Sequence, residues 1–283
     1  MVGRLSGLIR NLVFAAALAV PVSGAASEPA SPEGGASVPD FLRRLDEHRP
    51  DGAQDRNLLP RDDRTQVEDT TVPPYRMIGL LFGESAEGNH AFCTGIVVGA
   101  RTVLTAAHCL YDEQNEAWRE NFLFAPGLES FESAPLGIWS MREPDALSAY
   151  ISNFTGYKFG RINRDLGLVY FDEPVGEQLG RIPLASDFDM ENTPIRLIGY
   201  HGDKALGTMW EETCVAALDP DLDSGLMRTR GCSEGFGADG GVALVEHGGE
   251  FRVAGIVVGS DRPDWVILPL VGDLAEWVGE RMR

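Results

Sequence analysis

From residue 58 onward, short β-prone runs recur between glycine, proline and aspartate turns, at 77–82, 95–98, 103–106, 166–171, 195–199, 242–245, 251–258 and 265–268. A short strand buries its apolar face only against other strands, so this punctuation argues for an all-β sandwich or barrel fold. Near the end, Leu270, Leu274, Trp277 and Val278 recur at i, i+4, i+7 and i+8, the face of one amphipathic helix. Periodicity alone does not separate barrel from sandwich. The length suits one compact, two-lobed unit.

The first residues read differently. Arg4 and Arg10 flank the start of an apolar run, Leu12-Val13-Phe14-Ala15-Ala16-Ala17-Leu18-Ala19-Val20, which gives way to Ser23-Gly24-Ala25-Ala26. That is the pattern of a secretory signal over 1–26. The run falls short of the roughly 20 apolar residues that span a bilayer, so no membrane span is expected and the protein should be secreted or periplasmic. Residues 27–57 are rich in Ala, Ser, Pro, Glu and Gly and then charged around Arg43-Arg44-Leu45-Asp46-Glu47, a composition that buries little apolar surface. They are either a propeptide or a flexible linker.

The formal charge is −19, and becomes −21 if Arg4 and Arg10 leave with an acid-free leader. Nucleic acid is excluded as a partner, because phosphate binding needs clustered cations; the acidity serves solubility. Four cysteines fit an oxidising compartment. Cys93 and Cys109 bracket one histidine, Cys214 and Cys232 lie close together further on, and these two local pairings are expected among the three that four cysteines allow. There is no CxxC pair and no His-rich tract, so neither metal nor other cofactor is expected. His48, His90, His201 and His247 are scattered, with a structural or solvated role.

Three segments carry chemistry: Thr105-Ala106-Ala107-His108-Cys109, then Asp165-Leu166-Gly167-Leu168, then Gly237-Ala238-Asp239-Gly240-Gly241. Their order and wording resemble the trypsin-like (chymotrypsin-fold) serine peptidases, with base, orienting acid and nucleophile in turn. Leu58-Leu59-Pro60-Arg61-Asp62-Asp63-Arg64, with Asp69-Thr70-Thr71 and Pro74-Tyr75, is similar to the mature N-terminal segment of the bacterial glutamyl endopeptidase branch. Gly199-Tyr200-His201-Gly202-Asp203-Lys204 and Gly207-Thr208-Met209-Trp210 resemble that branch too. The likeness runs from about residue 58 to the C-terminus. It implies two antiparallel six-stranded β-barrels, at about 75–185 and 190–268, a C-terminal α-helix at about 270–281, and a peptide or protein ligand in the active-site groove.

The resemblance makes His108 the base and Asp165 the acceptor of its Nδ1–H bond. Read alone, Asp165 is equally a turn carboxylate; the Leu-Gly-Leu that follows favours the first reading. The oxyanion hole falls to the N–H groups of Gly237 and Asp239, with Gly240 and Gly241 permitting the tight turn that aims them. The expected Gly-x-Ser-Gly-Gly reads Gly-Ala-Asp-Gly-Gly, so Asp239 stands at the nucleophile position. Ser233 competes, since Gly231-Cys232-Ser233-Glu234-Gly235 matches Gly-x-Ser-x-Gly. No helix is signalled after it, and aligning Ser233 as nucleophile displaces the cysteine; it reads better as a pocket-lining residue six positions before Asp239.

An aspartate at that position changes the chemistry. With a reference pKa near 3.9 it is already ionised. Its charge beside His108 favours the imidazolium, which cannot act as a base. Attack on an amide would create a mixed anhydride while expelling a poor amine, and the fixed anion opposes a developing oxyanion. The expectation is an impaired peptidase homologue with a binding or regulatory role; the alternative is an active secreted serine endopeptidase using Ser233 or retaining weak turnover. The branch's histidine that reads an acidic substrate is absent from Gly255-Ile256-Val257-Val258-Gly259, so glutamate selectivity does not carry over.

Overall fold

The computed structural model describes residues 62–147, 150, 159–222, 225–233, 238–261 and 264–283. The expected signal segment, the propeptide or linker, and Gly237 lie outside them. A short strand, β1 (Thr65–Gln66), precedes β2 (Ile78–Glu84), β3 (His90–Val97) and β4 (Thr102–Thr105). A side hairpin of β5 (Tyr111–Asp112) and β6 (Ala117–Trp118) follows, then β7 (Glu120–Pro126), β8 (Trp139–Ala146) and β9 (Gly167–Phe171). Antiparallel pairing in the order β2-β3-β4-β9-β8-β7 closes the first barrel. Closure leaves no unpaired sheet edge and surrounds a core that includes Ile78, Ile96, Leu104, Phe124 and Leu168, all sealed from solvent.

The second barrel contains β10 (Pro194–Tyr200), β11 (Met209–Leu218), β12 (Met227–Arg230), β13 (Val242–His247), β14 (Glu250–Asp261) and β15 (Asp264–Pro269). Its order is β11-β10-β13-β14-β15-β12, and the β11–β12 pairing closes it; β1 pairs with β11 beside that seam. Alternate residues of one strand point to opposite faces. Accordingly Ala243, Val245, Trp265 and Ile267 join one apolar cluster, while Val242, Leu244, Val266 and Leu268 join another that continues into the first barrel. Burial on both faces explains why these strands read as unbroken apolar runs. Two antiparallel six-stranded barrels with a terminal helix are the architecture implied by the sequence.

Helix α1 (Val175–Leu179) follows β9, and helix α2 (Asp273–Arg281) follows β15. Leu274 and Val278 of α2 are buried, as their spacing predicts. The helix begins three residues later than expected because Leu270 still donates its N–H to Ala254 and Gly272 turns the chain at φ 54°. From there α2 returns to the first barrel, where the Arg283 carbonyl accepts from Arg101 N–H at 2.7 Å and the Arg283 N–H donates to Thr102 Oγ1 at 2.9 Å. No helix among the described residues is long and apolar enough to cross a membrane.

Candidate active site

His108 sits in a single 3-10 turn, Ala107–Cys109, directly after β4. The disulfide from Cys109 to Cys93 pins this turn to β3, and Asp165 fixes the ring. Asp165 precedes β9 and is buried; its Oδ1 accepts the His108 backbone N–H at 2.9 Å, and its Oδ2 lies 2.6 Å from Nδ1. Both carboxylate oxygens therefore hold one residue, which sets the ring orientation and gives Nδ1 the proton. The other ring nitrogen, Nε2, faces Asp239 Oδ2 at 3.8 Å, a charge contact rather than a hydrogen bond.

The electrostatics follow from that arrangement. Burial opposes charge on His108, but the field and hydrogen bond of Asp165, and then the facing Asp239 carboxylate, outweigh it and hold the imidazole well above its ordinary range. Burial likewise opposes ionisation of Asp239, whereas the facing imidazole and the residue's own backbone N–H hold its carboxyl below the ordinary range. An imidazolium between two carboxylates results.

The backbone around Asp239 is fixed without reference to that side chain. Its carbonyl accepts the Thr94 N–H of β3 at 2.8 Å, Gly240 N–H donates to Val257 at 2.9 Å, and Gly241 N–H donates to Ala238 at 2.8 Å. Gly240 has φ +75°, and a Cβ there would lie 2.1 Å from the Thr94 carbonyl oxygen, so only glycine fits. Thr94 joins the barrels further: its carbonyl accepts Thr105 Oγ1–H at 2.8 Å, and its Oγ1 accepts the Tyr200 N–H at 2.9 Å. No sequence motif marked Thr94. Its place in β3 next to Cys93 was the available signal.

The structure does not bring Ser233 into this array. It is buried in another set of bonds: its Oγ accepts the Asp63 N–H at 2.8 Å, its N–H donates to Glu212 Oε2 at 2.7 Å, and its carbonyl accepts Trp265 Nε1–H at 3.0 Å. The second disulfide, Cys214 to Cys232, ties this segment to β11. Beside it, buried Arg64 is gripped by Asp62 and by both oxygens of Asp203, at 2.6 and 2.9 Å. His201 is also buried, 3.1 Å from Arg64 and edge-on to Trp265. Its role is structural. The Arg64, Asp203 and Glu212 cluster escaped sequence reasoning, although a glutamate two residues before an apolar Cys-x-Ala on β11 is a signal of burial.

Among the described residues, Cys93, His108 and Cys109 are near enough to share a metal ion, but both sulfurs are consumed by their mutual disulfide. Thiolate ligation is closed to them.

Comparison with known proteins places this geometry. Glutamyl endopeptidase of Bacillus licheniformis is 31% identical over 164 residues, covering 58% of this chain and 48% of that protein. An extracellular metalloprotease of Bacillus subtilis is 28% identical over 165 residues, 56% of this chain and 50% of that one. A Staphylococcus aureus glutamyl endopeptidase is 27% identical over 160 residues, 54% and 40% respectively. The chain thus spans about half the length or less of these curated relatives. Among solved structures, a Glu endopeptidase in complex with MPD superposes with a TM-score of 0.66 at 21% identity, over 79% of this chain and 98% of the other. The Anisep protease of Arthrobacter nicotinovorans gives 0.63 at 18%, over 75% and 96%; at such identities the likeness speaks for the fold. The family model described as Trypsin matches residues 71–264, the first barrel and the second up to the start of β15, and by that match the chain belongs to the trypsin-like serine peptidase family, where it is related to the bacterial glutamyl endopeptidases.

Proposed function

We propose that this protein is an exported trypsin-like peptidase homologue that binds peptide or protein segments in the groove at His108 and Asp239 and hydrolyses them poorly. On this reading His108 and Asp165 keep the positions of base and orienting acid, Asp239 takes that of the nucleophile, and Gly237 with Asp239 forms the oxyanion hole. The observation that carries it is the Asp239 carboxylate, 3.8 Å from His108 Nε2. A hydroxyl there would hand its proton to a neutral imidazole; the carboxylate has none to give and keeps the imidazole charged. Its fixed negative charge also opposes a developing oxyanion.

Signal peptide, propeptide or linker, and peptidase-like domain are assigned to 1–26, 27–57 and 58–283. Secretion or release into the periplasm is supported by the two disulfides and by the extracellular relative. Ser233 is assigned to the lining of the specificity pocket. Glutamate selectivity is not proposed, because 255–259 carries no histidine.

The relatives' names favour a second reading, an active secreted serine endopeptidase cutting peptide bonds. It needs a serine nucleophile, and the Ser233 hydroxyl oxygen accepts the Asp63 N–H. A fluorophosphonate probe separates the two. The wild-type protein should remain unlabelled; stoichiometric labelling that disappears with Ser233→Ala would establish the second reading and overturn the first.

A further inference from the structure

We propose that Asp239 is itself a nucleophile toward saturated carbon, and that with His108 and Asp165 it opens epoxides to diols through an Asp239 ester. The inference rests on the same placement of Asp239 opposite His108 that the proposed function uses, but it concerns a different electrophile.

Each obstacle to peptide cleavage at this site belongs to acyl chemistry. A carboxylate attacking an amide gives a mixed anhydride, must expel a poor amine and builds an oxyanion beside a fixed negative charge. Attack on an epoxide carbon gives an ordinary ester, relieves ring strain and puts the developing charge on the ring oxygen, away from the attacking group. Such a reaction asks for an ionised carboxylate, an acid for the departing oxygen, and then a base for the water that cleaves the ester.

The site holds all three. Asp239 is ionised near pH 7, and its side chain and that of His108 are both partly exposed, so a small electrophile reaches them. The His108 ring lies between two carboxylates, with Asp165 Oδ2 at 2.6 Å from Nδ1 and Asp239 Oδ2 at 3.8 Å from Nε2. Two flanking anions keep the ring protonated, so the group disabled as a base is supplied as an acid. The 3.8 Å gap is too long for a direct hydrogen bond, which leaves Nε2–H available to a ligand oxygen. A ring oxygen about 2.8 Å from Nε2 and its neighbouring carbon roughly 3–3.5 Å from Oδ2 close a triangle on that 3.8 Å side, with the carboxylate behind the bond that breaks.

In the first step an oxygen of Asp239 bonds the ring carbon as the ring carbon–oxygen bond breaks, and the released alkoxide takes the Nε2 proton. A 2-hydroxyalkyl ester of Asp239 and a neutral imidazole result, with the Nδ1 proton still held by Asp165. In the second step water bonds the ester carbonyl carbon and gives a proton to Nε2. The tetrahedral carbon collapses, the departing alkoxide takes that proton, and the new Asp239 carboxylic acid returns its own to the imidazole. The sum is epoxide plus water to diol, and the ion pair is restored.

The test incubates the wild-type full-length protein near pH 7 with styrene oxide, epoxyhexane and an epoxypropyl nitrophenyl ether. At least one should be opened roughly tenfold or more faster than in protein-free buffer, the low end of what positioned acid and nucleophile supply. A single turnover in oxygen-18 water should place the label in the Asp239 carboxylate, read by peptide mass spectrometry, and leave the first diol unlabelled. Asp239→Asn and His108→Gln should each lose the gain. If either variant does not fold, the position of the label in wild type decides alone. No diol and no Asp239 adduct from any of the three epoxides overturns the proposal, as does label entering the diol directly, alkylation of His108 instead of Asp239, or a gain that survives Asp239→Asn. Peptide binding without epoxide opening overturns this inference and leaves the groove reading standing; epoxide opening without peptide binding does the reverse.

Discussion

Replacing Asp239 with serine should restore hydrolysis, and the size of the effect can be worked from the site. The Asp239 carboxylate is 3.8 Å from His108 Nε2, and its side chain is 34% exposed. At this separation a charge pair is worth about 1 kcal/mol in water and about 4 kcal/mol at an effective dielectric of 20. Partial exposure puts the real value toward the lower figure, roughly 1–2 kcal/mol, or a roughly five- to thirtyfold gain in neutral imidazole at neutral pH when the anion is removed. The serine hydroxyl supplies a nucleophile with a proton to transfer, and the anion that opposes an oxyanion is gone. Binding and the oxyanion hole alone are worth roughly 10³–10⁴ over water in triad mutants, so kcat/KM for an activated ester should rise by roughly 10² or more. Stopped-flow or plate-based ester hydrolysis on Asp239→Ser measures it. Asp239→Ser/His108→Ala must lose the gain, and Asp239→Ser/Ser233→Ala must keep it. A correctly folded Asp239→Ser protein with no gain, or a gain indifferent to His108, refutes the reasoning.

Three further outcomes follow from the same geometry. Gly240→Ala forces a Cβ to within 2.1 Å of the Thr94 carbonyl oxygen at φ +75°, and should cost roughly 3 kcal/mol or more in chemical denaturation. Removing the Cys214–Cys232 bridge with a double alanine variant opens a loop of sequence separation 18 and should cost on the order of 3 kcal/mol in urea titrations without reductant; an unchanged midpoint contradicts it. The two site histidines should titrate in opposite senses by NMR. His108 is raised above its ordinary 6.5, so its stabilising contribution is complete below 6.5 and fades as pH climbs through its folded value, and Asp239→Asn should lower that midpoint. His201 is lowered to about 3, so it should stay neutral through mildly acidic pH and reduce stability as pH drops below 6.5, where the unfolded chain takes up the proton first.

Much of the fold was legible because the interior strands of the second barrel are buried on both faces. Continuous apolar text such as Val253-Ala254-Gly255-Ile256-Val257-Val258 fits few environments. The barrel strands that escaped, β7, β8, β11 and β12, mix charged residues with apolar ones. In β8 a register shift between Arg142 and Asp145 breaks the alternation, and in β12 the run Met-Arg-Thr-Arg buries only Met227 and Thr229. His108 and Asp165 were legible through the words around them. Glu212 and Arg64 were not, because their burial depends on partners more than a hundred residues away in sequence for Arg64 and on Ser233 for Glu212. Local pattern carries no trace of such pairings.

The turn that presents residue 239 is held by main-chain bonds and by the absence of a Cβ at Gly240, and its side chain takes no part in either. The reactivity of this position is thereby uncoupled from the architecture that aims it. A lineage can silence such a site, or re-arm it, by a single replacement at little cost in stability, and the scaffold preserves the option in both directions. Catalysis here is a detachable property of the fold.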